Sequence, residues 1–229
     1  MKTVRADGIG GRGITYVPKS GEYSGLLIFL HGLGDTADGW ASLMPSLGLK
    51  DTKIVLPTAD TIPISLNGGM PMPGWSDIYG LSDTDKEDEA GFNASAARVM
   101  AIVQQEIDSG KVLPSKVVLA GFSQGGAVAL HTSMRCPLAL GGVVALSTWL
   151  PVRASYPEKL SATASSLRIM QAHGDEDRVV GYKWGKNSHE LLKTMVSTPP
   201  AFHTIRGMGH SSDPGEMELV KAFLQSILS

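Results

Sequence analysis

Cysteine is nearly missing from this chain. Cys136 stands alone among 229 residues, so no disulfide can form within it, which suits a reducing compartment. Charge is sparse and balanced: charged residues make up 18% and the formal net charge is −2, so nothing draws nucleic acid or an anionic membrane as the main partner. No apolar run approaches the roughly 18 residues that a membrane span requires. Positive charge in Met1-Lys2-Thr3-Val4-Arg5-Ala6-Asp7 is not followed by an apolar stretch, so no secretory leader is expected. The Asn93-Ala94-Ser95 sequon then reads as unmodified, and the expected location is cytoplasmic. There is no H-E-x-x-H, no Cys cluster and no paired carboxylate–histidine spacing, so neither a metal nor a cofactor is expected. Internal repeats, low-complexity tracts and linkers are absent too. What remains is a chain of 42% hydrophobic residues, read as one domain over residues 1–229.

Strand-like and helix-like segments alternate, which predicts an α/β fold: a mainly parallel twisted sheet with helices on both faces and no large separate lid domain. Leu26-Leu27-Ile28-Phe29-Leu30 and Lys53-Ile54-Val55-Leu56 read as strands, as do the runs at 116–120, 142–146, 167–172 and 201–205. Helices are expected near Trp40, over 87–109 with Ala96, Val99, Met100, Val103 and Ile107 as its apolar face, and over 188–196. A final helix should start at Asp213, with Pro214 in its first position, Glu216 three residues after the cap, and Val220, Phe223, Leu224 and Ile227 buried. Residues 1–24 read as a lead-in segment. Within it Gly8-Ile9-Gly10-Gly11-Arg12-Gly13 matches a dinucleotide-binding pattern, but no strand is expected before it and a strand rather than a helix follows, so it reads as flexible. Residues 60–82 form a long irregular loop rich in Pro, Gly and Met.

The centre of the sequence is Gly121-Phe122-Ser123-Gln124-Gly125, a G-x-S-x-G pattern between a buried strand and a helix start. That context is the nucleophile elbow of the α/β-hydrolase fold, where bulky neighbours of the serine would collide with the adjoining strand and helix. A serine hydroxyl attacks only when a base accepts its proton. In this fold the acid and then the histidine follow the serine, each after a strand. His173-Gly174-Asp175-Glu176-Asp177 and Gly207-Met208-Gly209-His210-Ser211-Ser212 meet that order. Both lie at carboxyl ends of strands, the edge where open α/β sheets bind ligands. His210 is the candidate base. His31 shapes a glycine loop, His131 is structural, His173 holds the acidic loop, and His189 and His203 read as helix-surface and strand positions. Asp175 and Asp177 both remain candidates for the acid, since spacing does not separate them.

Several stretches resemble one family: Phe29-Leu30-His31-Gly32-Leu33-Gly34-Asp35-Thr36, Met72-Pro73-Gly74-Trp75-Ser76-Asp77-Ile78, residues 121–126, Ala145-Leu146-Ser147-Thr148-Trp149-Leu150-Pro151 and His210-Ser211-Ser212. The chain is similar, over about residues 25–228, to the acyl-protein thioesterase / lysophospholipase / carboxylesterase family. The resemblance implies a serine hydrolase that removes long acyl chains from cysteine thioesters on proteins, acting more weakly on lysophospholipids and small esters. It assigns Ser123 as nucleophile, His210 as base and Asp177 as acid, with the backbone amides of Leu33 and Gln124 as oxyanion donors. It makes the 60–82 loop a border of the acyl site, with Met70, Met72, Trp75, Ile78 and Leu81, together with Trp149, as substrate-binding residues. Its partners are S-acylated proteins or lysophospholipids as substrates, with no nucleic acid; transient membrane contact is compatible with it, and the oligomeric state is left open, a weak homodimer being one alternative. The family carries prolines after the second aspartate where this chain has Arg178 and Gly181, a change that loosens the loop but leaves the carboxylate in place. The family's N-terminal acylated cysteine has no counterpart here. Two rival readings remain: a carboxylesterase for small soluble esters, and a hydrolase fold that binds without turnover.

Overall fold

The computed structural model describes residues 1–5, 12–82 and 84–229. In chain order its main elements are β1 (Lys2–Arg5), β2 (Gly13–Val17), β3 (Gly25–Leu30), α1 (Ala37–Ala41), β4 (Thr52–Pro57), β5 (Thr61–Ile64), β6 (Met70–Pro73), α2 (Glu89–Asp108), β7 (Val117–Phe122), α3 (Gln124–Arg135), β8 (Gly142–Leu146), β9 (Arg168–Gly174), α4 (Tyr182–Leu192), β10 (Ala201–Ile205) and α5 (Pro214–Leu228). Among the described residues, eight strands form one sheet in the order β1-β2-β4-β3-β7-β8-β9-β10. From β4 to β10 every neighbour pair is parallel.

Every residue of β3 is buried, because a central parallel strand is covered on both faces. Its alternating side chains feed two cores. Leu26, Ile28 and Leu30 pack on one side with Phe92 and Val99 of α2, Val128 of α3 and Leu192 of α4. Leu27 and Phe29 pack on the other with Trp40 of α1 and Val220 and Leu224 of α5. The doubly covered sheet read from the alternating pattern is therefore present.

Three expectations need correction. Residues 1–24 are more than a lead-in: β1 pairs antiparallel with β2, and β2 with β4, adding two strands to the sheet edge. A strand thus does precede the glycine pattern, and the flexible reading of Gly8 to Gly11 lies outside the described residues. The dinucleotide match still fails, because Gly13 opens β2 rather than a helix. The 60–82 loop is not irregular throughout, since β5 and β6 pair as an antiparallel hairpin within it. Helix α4 starts six residues before the expected 188, at Tyr182. Gly185 looks like a breaker, yet it sits inside this helix because a Cβ there would run into the His173 ring.

The buried line of α2 runs through Phe92, Ser95, Val99, Ile102, Val103 and Glu106, whereas Ala96, Met100 and Ile107 are only partly buried. Two polar residues in an apolar face hide that periodicity. Both are satisfied: Ser95 Oγ donates to the Trp75 carbonyl, and Glu106 accepts from Lys53 Nζ at 2.6 Å and Tyr23 Oη at 2.7 Å.

Helix α5 begins as its sequence specifies, with Asp213 Oδ1 accepting from the amides of Gly215 (2.7 Å) and Glu216 (3.3 Å). Glu216 itself is fully buried, and neither carboxyl oxygen meets a donor at hydrogen-bonding geometry. Burial pushes its pKa up from 4.5 to about 7, opposed only in part by the Asp213 amide. The folded state holds this proton more tightly than the unfolded chain. Its contribution is therefore fully present below pH 4.5 and lost as pH rises to about 7, a loss of roughly 3 kcal/mol. Glu216→Gln is expected to remove that loss, so that denaturant unfolding at pH 5 and pH 8 differs less in the variant than in the wild type. An unchanged difference would count against this assignment.

Candidate active site

Ser123 lies between β7 and α3 with φ 53 and ψ −124, a positive φ that a residue with a Cβ adopts only under constraint. The glycines around it permit the turn by close approach. A Cβ on Gly121 would run into the Gly125 carbonyl, and one on Gly125 into the carbonyls of Leu30 and His31. The turn places the serine at the amino end of α3, whose first amides have no partner within the helix.

His210 follows β10 by five residues, and Asp177 follows β9 by three. Both loops rise from the carboxyl edge of the sheet and meet over Ser123. His210 Nε2 lies 2.9 Å from Ser123 Oγ, and His210 Nδ1 lies 2.7 Å from Asp177 Oδ2. The Phe122 ring backs the His210 imidazole at 4.7 Å between centroids and is itself packed on Trp40 at 5.4 Å.

Asp177 is buried, and each oxygen has its own work. Oδ1 accepts from the amides of Val179 (2.9 Å) and Val180 (3.0 Å). Oδ2 faces His210 and, at 3.4 Å, His173 Nε2, which also donates to the Val180 carbonyl at 2.8 Å. Burial pushes this carboxyl up, but the bonds from His173 and His210, the charge of His210 and the Val179 amide outweigh it. They hold the group well below the usual carboxylate range. Arg178 and Gly181 leave these anchoring amides intact. Asp175, the other candidate acid, turns away: its Oδ1 accepts from the Gly207 amide at 2.7 Å and ties the acid loop to the histidine loop.

The glycine loop after β3 is fixed by His31, buried and neutral. Its Nδ1 donates to the Gly32 carbonyl at 2.7 Å, and its Nε2 accepts from the Ala59 amide at 3.0 Å. Burial lowers its pKa. Sequence reasoning missed a second brace. The Gln124 side chain accepts from the Trp75 amide at 2.9 Å and donates to the Ser76 carbonyl at 2.7 Å, locking the elbow to the segment after β6. His189, read as a surface residue, is buried, with Nδ1 2.9 Å from Gln171 Oε1.

A cleft of about 400 Å³ opens over Ser123 and His210. Of the expected substrate-binding residues, Ile78, Leu81 and Trp149 border it, as do Leu33 and Gln124, expected as oxyanion donors. Met70, Met72 and Trp75 do not. Met70 is 61% exposed on the hairpin. Met72 leans its Sδ on Gly34 and Asn67. Trp75 is buried beneath the loop, its Nε1 donating to the His31 carbonyl at 2.8 Å. Trp40, Leu43, Phe122, Val179 and Val180 line the cleft without having been singled out from the sequence. Their apolar character gave no sign of which cavity they face. Among the described residues no cluster of three or more His, Cys, Asp or Glu side chains is placed to hold a metal ion, and no helix is long and apolar enough to cross a membrane.

A mostly parallel sheet covered on both faces, with a serine elbow at the carboxyl edge of its strands, defines an α/β-hydrolase. The model of the phospholipase/carboxylesterase family matches residues 14–228, and the chain belongs to that family. It is similar to acyl-protein thioesterase 1 of Mycosarcoma maydis, 39% identical over 227 residues, covering 92% of this chain and 95% of that protein. It is likewise similar to acyl-protein thioesterase 1 of Gibberella zeae, at 41% over 222 residues, covering 92% and 94%. The crystal structure of Zea mays acyl-protein thioesterase 2 superposes with a TM-score of 0.87 at 32% identity, covering 96% of this chain and all of that one.

Proposed function

We propose that this protein is a serine hydrolase that cleaves long-chain acyl thioesters from S-acylated protein cysteines, with side activity on esters and lysophospholipids. The observation that carries the reading is the Ser123–His210–Asp177 line, at 2.9 and 2.7 Å, on the floor of a cleft walled by apolar side chains. Relatives named acyl-protein thioesterase, matched over about nine-tenths of the chain, support the choice of thioester substrate.

In this reading His210 takes the Ser123 proton as Oγ attacks the acyl carbonyl, and Asp177 holds the imidazole tautomer and stabilises the imidazolium that forms. The amides of Leu33 and Gln124 receive the oxyanion, each worth about 2.7–4 kcal/mol. The cysteine thiol leaves with the proton from His210, and water then hydrolyses the acyl-enzyme by the same base. The acyl chain lies along Leu33, Ile78, Leu81, Trp149 and Val179. Leu81 and Val179, each more than two-fifths exposed at the cleft, receive a chain presented from a protein or from a lipid surface in transient contact.

Leu81→Asp places a charge on this path. It is expected to lower the ratio of kcat/KM for eight-carbon over two-carbon thioesters by about tenfold, as two buried methylenes contribute roughly 1.6 kcal/mol. An unchanged ratio would move the acyl chain elsewhere.

A further inference from the structure

Glu87 sits just before α2, but its carboxyl takes no part in capping that helix, whose side-chain cap is Asp88 accepting from the Gly91 amide. It is instead joined to the acyl cleft from two sides. Its backbone forms an antiparallel bridge with Ile78. Its carboxyl crosses to the segment after β8, where Oε1 accepts from Trp149 Nε1 at 2.7 Å and Oε2 accepts from the Val152 amide at 2.6 Å. Val152 has φ 51, a left-handed conformation that a β-branched residue holds only when its surroundings dictate it. Trp149 stacks on Trp184 at 4.6 Å between centroids, so its ring is seated by that contact and aimed by the bond to Glu87.

Ile78 and Trp149 both border the cleft, and neither touches the proton path from Ser123 to Asp177. One residue therefore joins two wall residues from distant parts of the chain, Ile78 through its backbone and Trp149 through its partly buried carboxylate, while standing apart from the chemistry. We infer that Glu87 is a specificity-positioning residue: by holding Trp149 and the turn at Val152 it sets the acyl-chain wall, and so the discrimination between long and short acyl groups. This rests on the reading that the cleft receives the acyl chain.

Both carboxylate oxygens face N–H donors. Glu87→Gln keeps the size but turns one acceptor into a donor, so it can hold Trp149 or Val152 but not both. With monomeric, non-micellar substrates, KM for an eight-carbon thioester is expected to rise about tenfold, the loss of about two methylene contacts, with kcat changed less than about twofold. Both constants for a two-carbon thioester should stay within about twofold of the wild type. In a Trp149→Phe background, which keeps a ring but lacks the indole N–H, Glu87→Gln should raise the eight-carbon KM by less than about threefold. Equal losses on both substrates would reduce Glu87 to a prop of the fold and overturn the inference. So would wild-type constants on both. A wild type with no preference for the longer chain overturns the cleft reading itself and this inference with it. A preference that Glu87→Gln leaves untouched refutes only the role of Glu87.

Discussion

Replacing Ser123 by alanine is expected to lower kcat about a million-fold, to the level left by binding and oxyanion stabilisation alone. Alanine keeps the Cβ, so the backbone at φ 53 is neither more nor less strained, and stability should change little. His210→Ala should cost a similar amount, because a serine without a base is as inert as a base without a serine. The double variant should be no slower than either single one, since the two groups act as a unit. Single-turnover hydrolysis of a short thioester, with denaturant unfolding as control, checks both statements. Residual turnover within about a hundredfold of the wild type would remove Ser123 from the chemistry.

The second large effect is at the acid. Asp177→Asn is expected to lower kcat by about ten-thousand-fold. The structure dictates which way the new amide points. The Val179 and Val180 amides at 2.9 and 3.0 Å demand an acceptor at the Oδ1 position, so the asparagine oxygen stays there. Its NH2 then faces His210 Nδ1, which must become an acceptor, and the ring proton moves to Nε2. A protonated Nε2 cannot take the proton of Ser123. Asp175→Asn keeps an acceptor for the Gly207 amide and should cost no more than about tenfold. If Asp175→Asn proved the more damaging change, the acid would have been misassigned.

The choice between these aspartates marks where sequence stops being informative. The strand-to-helix turn at Ser123 and the start of α5 at Asp213 are local patterns with local causes, and each is found as read. Asp175 and Asp177 have equivalent local patterns. Only the folded meeting of two loops turns one to His210 and the other to Gly207. The same limit applies to the cleft. Trp75 and Trp149 are both large, apolar and loop-borne, yet Trp75 is drawn under the loop by the His31 carbonyl, while Trp149 is held at the wall by Glu87. The β5–β6 hairpin and the first edge strand, β1, were hidden for another reason. β5 and β6 each carry proline and β1 is only four residues long, so their propensity is weak and pairing with a neighbour decides their form.

The central claim is that a triad-bearing cleft is built for a long acyl chain on a cysteine. Its most direct test is kcat/KM on one cysteine-containing peptide carrying S-acyl groups of increasing length, under monomeric, non-micellar conditions. The account predicts a rise up to at least eight carbons. The step from four to eight should approach a hundredfold, the worth of about four buried methylenes. A wild-type enzyme that prefers two-carbon over eight-carbon thioesters would contradict it and leave a small-ester hydrolase in its place.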